Sequence, residues 1–512
     1  MNILEQFEDK IKGKLSTFDR MIIKGYIRQL CNTKQFEAFL SIKNILWKDF
    51  PAYASNVTKN LSEHIENIAK IQDRPYCYFL SSNFSKEDKA LEMLKESPVD
   101  SGLIGIIGTV EVCNTMSITK NRETKRLELK WGTRKCKYYY LYFLDKEFGF
   151  MHIKIQTWFP FMVQIYINGR EYLSKKLDKE NIKYTRYDNC FTDIADIQRA
   201  QELSDEIKSK RLTESFDTII HKINNYLPTI EETMGHGYYW CMAECEYATD
   251  IMFNSRGDLE GIYPSLVEHA FFSFKCDDVM SFFGRKMHNA FQGEVVSDYR
   301  KRQTGLRIKH KMKANSIKMY DKNSVLRIET TINDPYEFKT IKKVITKEGF
   351  EAKRWIPMGK TIANIYRYAE VSEASNMRYI EALNNIIDKE VPVKNIEKLS
   401  SKIVVKDRRY TGFNILSKET TDLFEILVNG GFVINGFTNK DVKKKLYCND
   451  KDLYESKVRN RTTRLLAKLR AHGVIKKAPH CFKYYVTANG RKIMSQALYF
   501  KNQTLTQISN VA

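Results

Sequence analysis

The spacing of apolar residues along the chain alternates between helical and strand-like stretches. Near the N-terminus apolar residues recur at helical spacing, which predicts that the first 70 residues form helices. The helical stretches are Leu4–Leu15, Met21–Leu40 and about Val57 to Ile71. A strand-like run at Tyr76–Leu80, a helical run at Ser85–Lys95 and an apolar run at Gly102–Val112 follow. This order predicts a small α/β unit over residues 72–115.

A period of two dominates the centre of the chain and predicts antiparallel strands. The predicted strands are Met116–Lys120, Arg126–Lys130, Lys137–Leu144, Phe150–Thr157, Phe161–Asn168, Tyr238–Asn254, Gly305–Lys311, Ser316–Asp321 and Val325–Asn333. Helical spacing returns over residues 196–234 and 335–390, and no internal repeat is evident. The pattern as a whole indicates a mixed α+β fold.

The last hundred residues have the clearest order of elements. The predicted elements are helices over Thr420–Val428, Lys440–Leu446 and Ser456–His472 and strands over Val474–Lys477 and Phe482–Thr487. Thr438 or Asn439 suits the N-cap of the second helix, and Gly473 suits the position just after the third. Three helices followed by a β-ribbon resemble the winged helix-turn-helix class.

The winged-helix resemblance implies that the third helix enters the major groove of DNA. Its candidate contact residues are Arg459, Arg461, Thr462, Arg464, Lys468 and Arg470. Lys476, Lys477 and Lys483 on the ribbon would reach the flanking phosphates. The alternative is a protein–protein contact, which winged helices also make, or a basic helix that is merely solvated.

The charge of the chain supports a polyanionic partner. Lys and Arg number 84 and Asp and Glu 62, for a net charge of +22. Residues 436–512 alone hold 17 basic and four acidic side chains. A second basic patch comprises Arg300, Arg302, Arg307, Lys309, Lys311 and Lys313. Such focused charge favours DNA, with structured RNA as the other candidate, over a charge that serves only solubility.

Composition also disfavours several classes of protein. No apolar window approaches the ~18 residues that a transmembrane helix requires, so no membrane partner is expected. The acidic N-terminus does not resemble a signal peptide, and the ten cysteines show no CxxC pair or framework spacing. We therefore expect a reducing cytoplasmic location, with association with the nucleoid as one option.

A strand pair over Ser316–Asn333 is the main candidate for chemistry. Alternation places Tyr320, Arg327 and Glu329 on one polar face, with Asp321 and Lys322 at the turn. The Tyr-Asp-Lys and Leu-Arg-Ile-Glu segments resemble a strand pair in rolling-circle replication initiators of plasmids and filamentous phages. That resemblance implies that a divalent metal and a tyrosine cut one DNA strand on a palm-like sheet. The alternative is an ordinary hairpin with cross-strand Arg–Glu pairing.

The candidate metal ligands come from several segments, with Mg²⁺ or Mn²⁺ as the expected ion. They are His152, Gln156, Glu246, Asp250 and Glu329. A hydrogen-bonded structural histidine and solvent-facing acids are the alternatives. Cys113, Cys136 and Cys190 are further candidates to meet His152 in a zinc site, although their spacing does not require one.

The nucleophile is harder to choose. Rolling-circle initiators can carry an aromatic-Gly-basic strand upstream, but Phe282-Phe-Gly-Arg-Lys286 has no tyrosine. Tyr138-Tyr139-Tyr140 is another candidate because at least one of the three must point outward from a strand. The catalytic candidates are therefore Tyr320, Asp321, Lys322 and Glu329.

Most of the chain also resembles an uncharacterised bacterial family that occurs like a mobile element. The stretches that carry this resemblance include Met151–Phe161, Asn315–Asn333 and the C-terminal unit. Three functions stay open: a metal-dependent enzyme that nicks or transfers DNA strands, a non-catalytic component of a ribonucleoprotein, and a transcriptional regulator. The third is disfavoured because a regulator seldom needs about 400 residues before its DNA reader.

Four segments follow from these patterns. We expect residues 1–115 to form a helical and α/β N-terminal domain and residues 116–390 to form a central catalytic domain. Residues 391–412 are a charged connector, and residues 413–512 bind nucleic acid. The predicted fold is α+β, with N-terminal helices and a small α/β unit, a central antiparallel palm-like sheet flanked by helices, and a C-terminal winged helix-turn-helix.

Overall fold

The structure of the protein is a computed structural model. It describes residues 4, 7–81, 83–286, 291, 293–302, 305–345, 351–383, 393–405, 407–415, 417–428, 432, 436–447, 455–479, 481–487, 489–490, 493–494 and 497–498. The chain divides into two units, each made of separate segments. One comprises residues 14–249 and 331–373, and the other comprises residues 1–13, 250–330 and 374–512.

The fold is mixed α+β, as the sequence predicts. Its helices are α1 Thr33–Ile42, α2 Phe50–Ile71, α3 Lys86–Glu96, α4 Gly169–Lys179, α5 Ile197–Asp205, α6 Leu212–Ile223, α7 Leu227–Met234, α8 Arg256–Phe272, α9 Cys276–Phe282, α10 Ile365–Ala382, α11 Val393–Ser400, α12 Lys418–Val428, α13 Asn439–Leu446 and α14 Glu455–Ala471. None of the helices in the described residues is long and apolar enough to cross a membrane.

Eleven strands form one mixed sheet. They are β1 Ile11–Tyr26, β2 Tyr76–Phe79, β3 Gly102–Lys120, β4 Leu127–Asp145, β5 Gly149–Gln156, β6 Val163–Asn168, β9 Tyr239–Phe253, β10 Val295–Arg302, β11 Gly305–Met312, β12 Asn315–Lys322 and β13 Val325–Ile332. Their order is β10-β11-β12-β13-β9-β1-β6-β5-β4-β3-β2. Strand β2 pairs in parallel with β3 across helix α3, which confirms the predicted β-α-β order.

Four hairpins lie outside the large sheet. Their strands are β7 Tyr184–Arg186 with β8 Phe191–Ile194, β14 Lys339–Ile345 with β15 Glu351–Pro357, β16 Ile403–Val405 with β17 Arg408–Tyr410, and β18 Ile475–Lys477 with β19 Tyr484–Val486. The helical prediction for residues 335–390 is therefore wrong over β14 and β15 and correct over α10. Thr340, Ile341, Val344 and Ile345 are β-branched, which favours the extended backbone found there.

The predicted N-terminal helices are wrong at their start, because residues 11–26 form strand β1. Antiparallel pairing with β6, from Arg20 opposite Asn168 to Gly25 opposite Val163, fixes the extended backbone. Gly25 is required there, since an added Cβ would lie 2.5 Å from the Trp240 ring. Apolar residues on both faces of this buried strand mimic helical spacing, so periodicity alone does not separate the two structures.

The two halves of the large sheet repeat one connection. After β1 come α1, α2, β2, α3 and the four strands β3–β6, and after β9 come α8, α9 and the four strands β10–β13. In each half the last strand, β6 or β13, lies next to the first, β1 or β9. The strand order of one half therefore parallels that of the other, apart from the additional strand β2.

The C-terminal elements occur in the predicted order of three helices and a hairpin. Thr438 caps helix α13 by accepting a hydrogen bond from the Asp441 amide, and Gly473 ends α14 with φ of +69°. Buried apolar side chains form a local core for these elements, namely Leu423, Phe424, Leu427, Phe437, Val442, Leu466, Leu469, Val474 and Ile475. This local core positions helix α14 and the β18–β19 hairpin.

Candidate functional site

Strands β12 and β13 bring two of the predicted polar side chains, Tyr320 and Glu329, together with Lys318. Lys318 Nζ lies 2.6 Å from Glu329 Oε1. The Tyr320 hydroxyl donates a hydrogen bond to Glu329 Oε2. Both carboxylate oxygens of Glu329 are thus engaged by neighbours on β12. We call Lys318, Tyr320 and Glu329 the central cluster.

Arg327 does not pair with Glu329, although the hairpin alternative predicts that it does. Its Nε lies 2.7 Å from Asp250 Oδ1 and its Nη2 lies 2.8 Å from Asp250 Oδ2. Each side chain is only 1% exposed, so this two-bond ion pair is fully buried. Asp250 therefore neutralises Arg327, and Lys318 neutralises Glu329.

A basic row runs beside the central cluster on the same face of the sheet. Arg307 lies directly opposite Tyr320, and Lys309 lies directly opposite Lys318. On the next strand Arg300 lies opposite Arg307, and Asp298 lies opposite Lys309. The row consists of Arg300, Arg307, Lys309 and Lys311. Apart from Asp298 its charge is positive, which suits a phosphate group.

The electrostatics of this face follow from burial and from neighbouring charges. Burial alone would raise the pKa of Glu329, but the Lys318 ammonium and the hydrogen bonds from Lys318 and Tyr320 hold that pKa well below its usual range. Burial, together with the charge of Lys318, lowers the pKa of Lys309. The carboxylate is therefore ionised at neutral pH, and Lys309 is a more readily deprotonated ammonium than an exposed lysine.

We expect the lowered pKa of Glu329 to make folding depend on pH. A carboxylate whose pKa is lower in the folded state stabilises the fold above its unfolded pKa of about 4.3 and loses that contribution as the pH falls. The free energy of unfolding, measured in urea from pH 7 to pH 3, should therefore fall more steeply for the wild type than for Glu329→Gln. Parallel curves for the two proteins would contradict the assignment.

Asp321 lies apart from the central cluster. Asp321 follows Tyr320 in the strand, so its side chain points to the opposite face of the sheet. It approaches Gly305, where an added Cβ would lie 2.6 Å from Asp321 Oδ1. Burial raises the pKa of Asp321 to about 6, and Arg256 partly opposes the shift. Asp321 therefore does not share the face of Glu329, whereas Lys322, two positions after Tyr320, does.

The predicted metal ligands are engaged elsewhere. Gln156 accepts a hydrogen bond from the Tyr138 hydroxyl and donates to the carbonyl of Trp158. The His152 ring stacks on Tyr166 at 5.1 Å, and burial lowers the pKa of His152 to about 4. Glu246 lies 3.3 Å from Arg20 Nε.

In the described part of the chain, no group of three or more His, Cys, Asp or Glu side chains is arranged to hold a metal ion. The oxygens of Glu329 and Asp250 already contact cationic side chains or a hydroxyl. A divalent ion at these carboxylates would have to replace an existing contact, and Mg²⁺ or Mn²⁺ stays a prediction from the sequence. The proposed zinc ligands do not converge either, because Cys113 bonds to Cys136 as a cross-strand disulfide and the Cys190 thiol contacts the Tyr187 carbonyl.

The hydroxyl groups of the three consecutive tyrosines all donate hydrogen bonds to other side chains. Tyr139 donates to Glu66 and Tyr140 donates to Glu111, while Tyr138 contacts Gln156. Burial is the main cause that raises the pKa of each of these phenols. Phe282 and Phe283, which precede strands β10–β13 in the chain, are both buried. Among the tyrosines considered from the sequence, Tyr320 is the one that lies beside the basic row.

A second basic surface lies on α14 and the β18–β19 hairpin. Its exposed members have no ion pair within 4 Å among the described residues: Arg459, Arg464, Arg470, Lys476, Lys477 and Lys483. We call these six residues the C-terminal basic surface. Three predicted contact residues do not belong to it. Arg461 pairs with Glu419 at 2.8 Å, Lys468 donates to the Gly412 carbonyl at 2.8 Å, and the Thr462 hydroxyl is buried against Val458.

The remaining members of the mid-chain patch differ in their surroundings. Arg300 and Lys311 are exposed, and Lys313 lies over the Phe291 ring at 5.5 Å. The side chain of Arg302 lies outside the described residues. Sequence reasoning omitted Lys318 from the candidate site, although strand alternation places it on the same face as Tyr320.

No protein-family profile, curated protein or solved structure matches this chain.

Proposed function

We propose that the protein binds nucleic acid, DNA in the first place, through a C-terminal winged helix. The observation that carries this proposal is the C-terminal basic surface, whose six cations form no ion pair within 4 Å in the described residues. Unpaired cations on one helix and one adjoining ribbon are suited to phosphates, because each contact releases condensed counterions. Helix α14 would lie in the major groove, and β18–β19 would follow the flanking backbone.

We expect the double substitution Arg459→Gln, Arg464→Gln to weaken duplex binding several-fold. Because each lost phosphate contact lowers the slope of log affinity against log salt by about 0.9, the slope should fall by about two. Fluorescence anisotropy with a labelled duplex at several salt concentrations measures both quantities.

Arg461→Gln is the matched control for that experiment. Arg461 lies on the same helix but is paired with Glu419 at 2.8 Å, so its loss should leave the salt slope close to that of the wild type. A wild-type protein that binds neither DNA nor RNA would refute nucleic-acid binding. Tight binding to a single copurifying RNA in place of DNA would favour the ribonucleoprotein alternative.

A second candidate function is the nicking of a DNA strand at the central cluster. The supporting observation is the hydrogen bond from the Tyr320 hydroxyl to Glu329, beside Arg307 and Lys309. The resemblance of this strand pair to rolling-circle initiators supports the same reaction and a role in a mobile genetic element. A dependence on Mg²⁺ or Mn²⁺ stays part of that resemblance, and no step below uses the ion.

The reaction follows from the contacts of the central cluster. Tyr320 Oη attacks the phosphorus and forms an O–P bond while the bond from phosphorus to the leaving sugar oxygen breaks. The phenolic proton passes to Glu329 Oε2, and Lys318 gives a proton to the leaving oxygen. Glu329 then returns its proton to Lys318 across their 2.6 Å contact. Arg307 and Lys309 would stabilise the charge on the phosphate oxygens.

A further inference from the structure

The β14–β15 hairpin exposes apolar side chains. It pairs only with itself as a two-stranded sheet, separate from the large sheet. Ile341, Ile345 and Trp355 are 47%, 77% and 55% exposed. An isolated hairpin gains little stability from such exposed groups. Exposed apolar side chains on a projecting ribbon are typical of a binding surface.

The register of the hairpin sorts its side chains by face. Trp355 lies opposite Ile341 and Lys353 lies opposite Lys343, so these two pairs share one face. The pair Lys342 and Arg354 lies on the other face. Glu351 is paired with Lys343 at 2.9 Å. In the described part of the hairpin, Lys342, Lys353 and Arg354 have no acidic partner within 4 Å.

Arg367 contacts both the start of the hairpin at Lys339 and the indole ring of Trp355. Its guanidinium carbon lies 5.2 Å from the Trp355 ring centroid, and its Nε donates to the Lys339 carbonyl at 2.8 Å. These contacts fix the orientation of the indole while more than half of the side chain stays exposed. A fixed and exposed ring loses little conformational entropy when a second ring stacks on it.

We infer that the β14–β15 hairpin binds single-stranded nucleic acid, with Trp355 stacking on an unpaired base. An exposed aromatic ring among unpaired cations is the combination that recognises single strands, because every base has a π face and every linkage a phosphate. Lys353 shares the face of Trp355 and contacts the backbone beside the stacked base, while Lys342 and Arg354 add positive charge on the other face of the hairpin. The density of cations favours this polyanion over a protein partner. The inference rests on the proposed function, since it takes nucleic acid as the ligand.

The test uses the full chain and two labelled probes, a 20-nucleotide oligo(dT) and a 20-base-pair duplex. Trp355→Ala should weaken oligo(dT) binding about tenfold and leave duplex binding unchanged, because stacking contributes only when the base is unpaired. Trp355→Phe should keep most of the affinity. The matched control is Trp131→Ala, since Trp131 is another strand tryptophan of similar exposure, 42%, outside the hairpin.

The possible results separate this inference from the proposed function. If Trp355→Ala binds oligo(dT) as tightly as the wild type, the hairpin assignment fails while nucleic-acid binding stands. An equal loss of affinity for both probes overturns the preference for single strands. If the wild type binds neither probe, the proposed function fails first and the inference fails with it. Unchanged thermal unfolding of the variant shows that a measured loss does not reflect misfolding.

Discussion

Replacing Arg327 by methionine should lower the free energy of unfolding by about 3–5 kcal/mol. The substitution leaves Asp250, which is 1% exposed, as a charge without its two hydrogen bonds from the guanidinium. A buried carboxylate that loses its cation has to take up a proton or draw in water, and either change is costly. Urea unfolding followed by circular dichroism at pH 7 measures the difference.

Two further variants make this prediction specific. The double substitution Arg327→Met, Asp250→Leu removes both charges and should recover most of the lost stability, because an apolar pair of similar volume carries no desolvation cost. Lys343→Met removes an exposed ion pair with Glu351 and should change stability by less than about 1 kcal/mol. If the double variant is less stable than Arg327→Met, the buried pair is not the source of the effect.

The strength of the pair also explains why Arg327 is a poor ligand for substrate. A guanidinium that already makes two charge-assisted bonds to one carboxylate has little to gain from a phosphate. We therefore expect the Asp250–Arg327 pair to serve the central cluster only indirectly, by fixing the position of β13 against β9. In the basic row Arg300 and Arg307 lie 3.6 and 3.9 Å from Asp298, so we expect Lys309 and Lys311 to be the better ligands for a phosphate.

Strand alternation was sufficient to predict much of the central cluster. The period-two pattern over residues 305–333 predicted β11, β12 and β13, and it placed Tyr320, Arg327 and Glu329 on one face. It did not predict the partner of Arg327, because Asp250 is 77 positions away in the chain. Ion pairs between distant segments depend on strand order, which a local pattern does not contain.

The errors in the fold have the same origin. Strand β1 is buried on both faces from Leu15 to Asp19, so its apolar residues do not alternate, and a helix fitted the spacing equally well. The β14–β15 hairpin was missed for a different reason. Most of its residues are exposed, so buried apolar and exposed polar positions do not alternate along its strands. The C-terminal unit was easier, because a capping box and a left-handed glycine mark the ends of its helices within a few residues.

If the central cluster nicks DNA, Tyr320→Phe should abolish strand cleavage, by more than about a thousandfold, while leaving DNA affinity unchanged. The phenylalanine keeps the ring and its packing but has no oxygen to bond to phosphorus. The measurement is the covalent protein–DNA adduct formed with labelled single strands, separated by denaturing electrophoresis, with and without Mn²⁺. Tyr138→Phe is the matched control, since that phenol donates to Gln156 and is not part of the central cluster.

Glu329→Gln then separates the role of the carboxylate from that of the hydroxyl. An amide of the same shape still contacts Tyr320 but cannot take its proton. The adduct should therefore form slowly, and its rate of formation should increase more steeply with pH than in the wild type. Tyr320 is 6% exposed, so a phosphate reaches Oη only when the side chains above it move apart. A wild-type adduct that survives in Tyr320→Phe would place the nucleophile elsewhere. Binding without any adduct, in the presence or absence of Mn²⁺, would leave the central cluster as a structural ion pair and make the protein a binding component only.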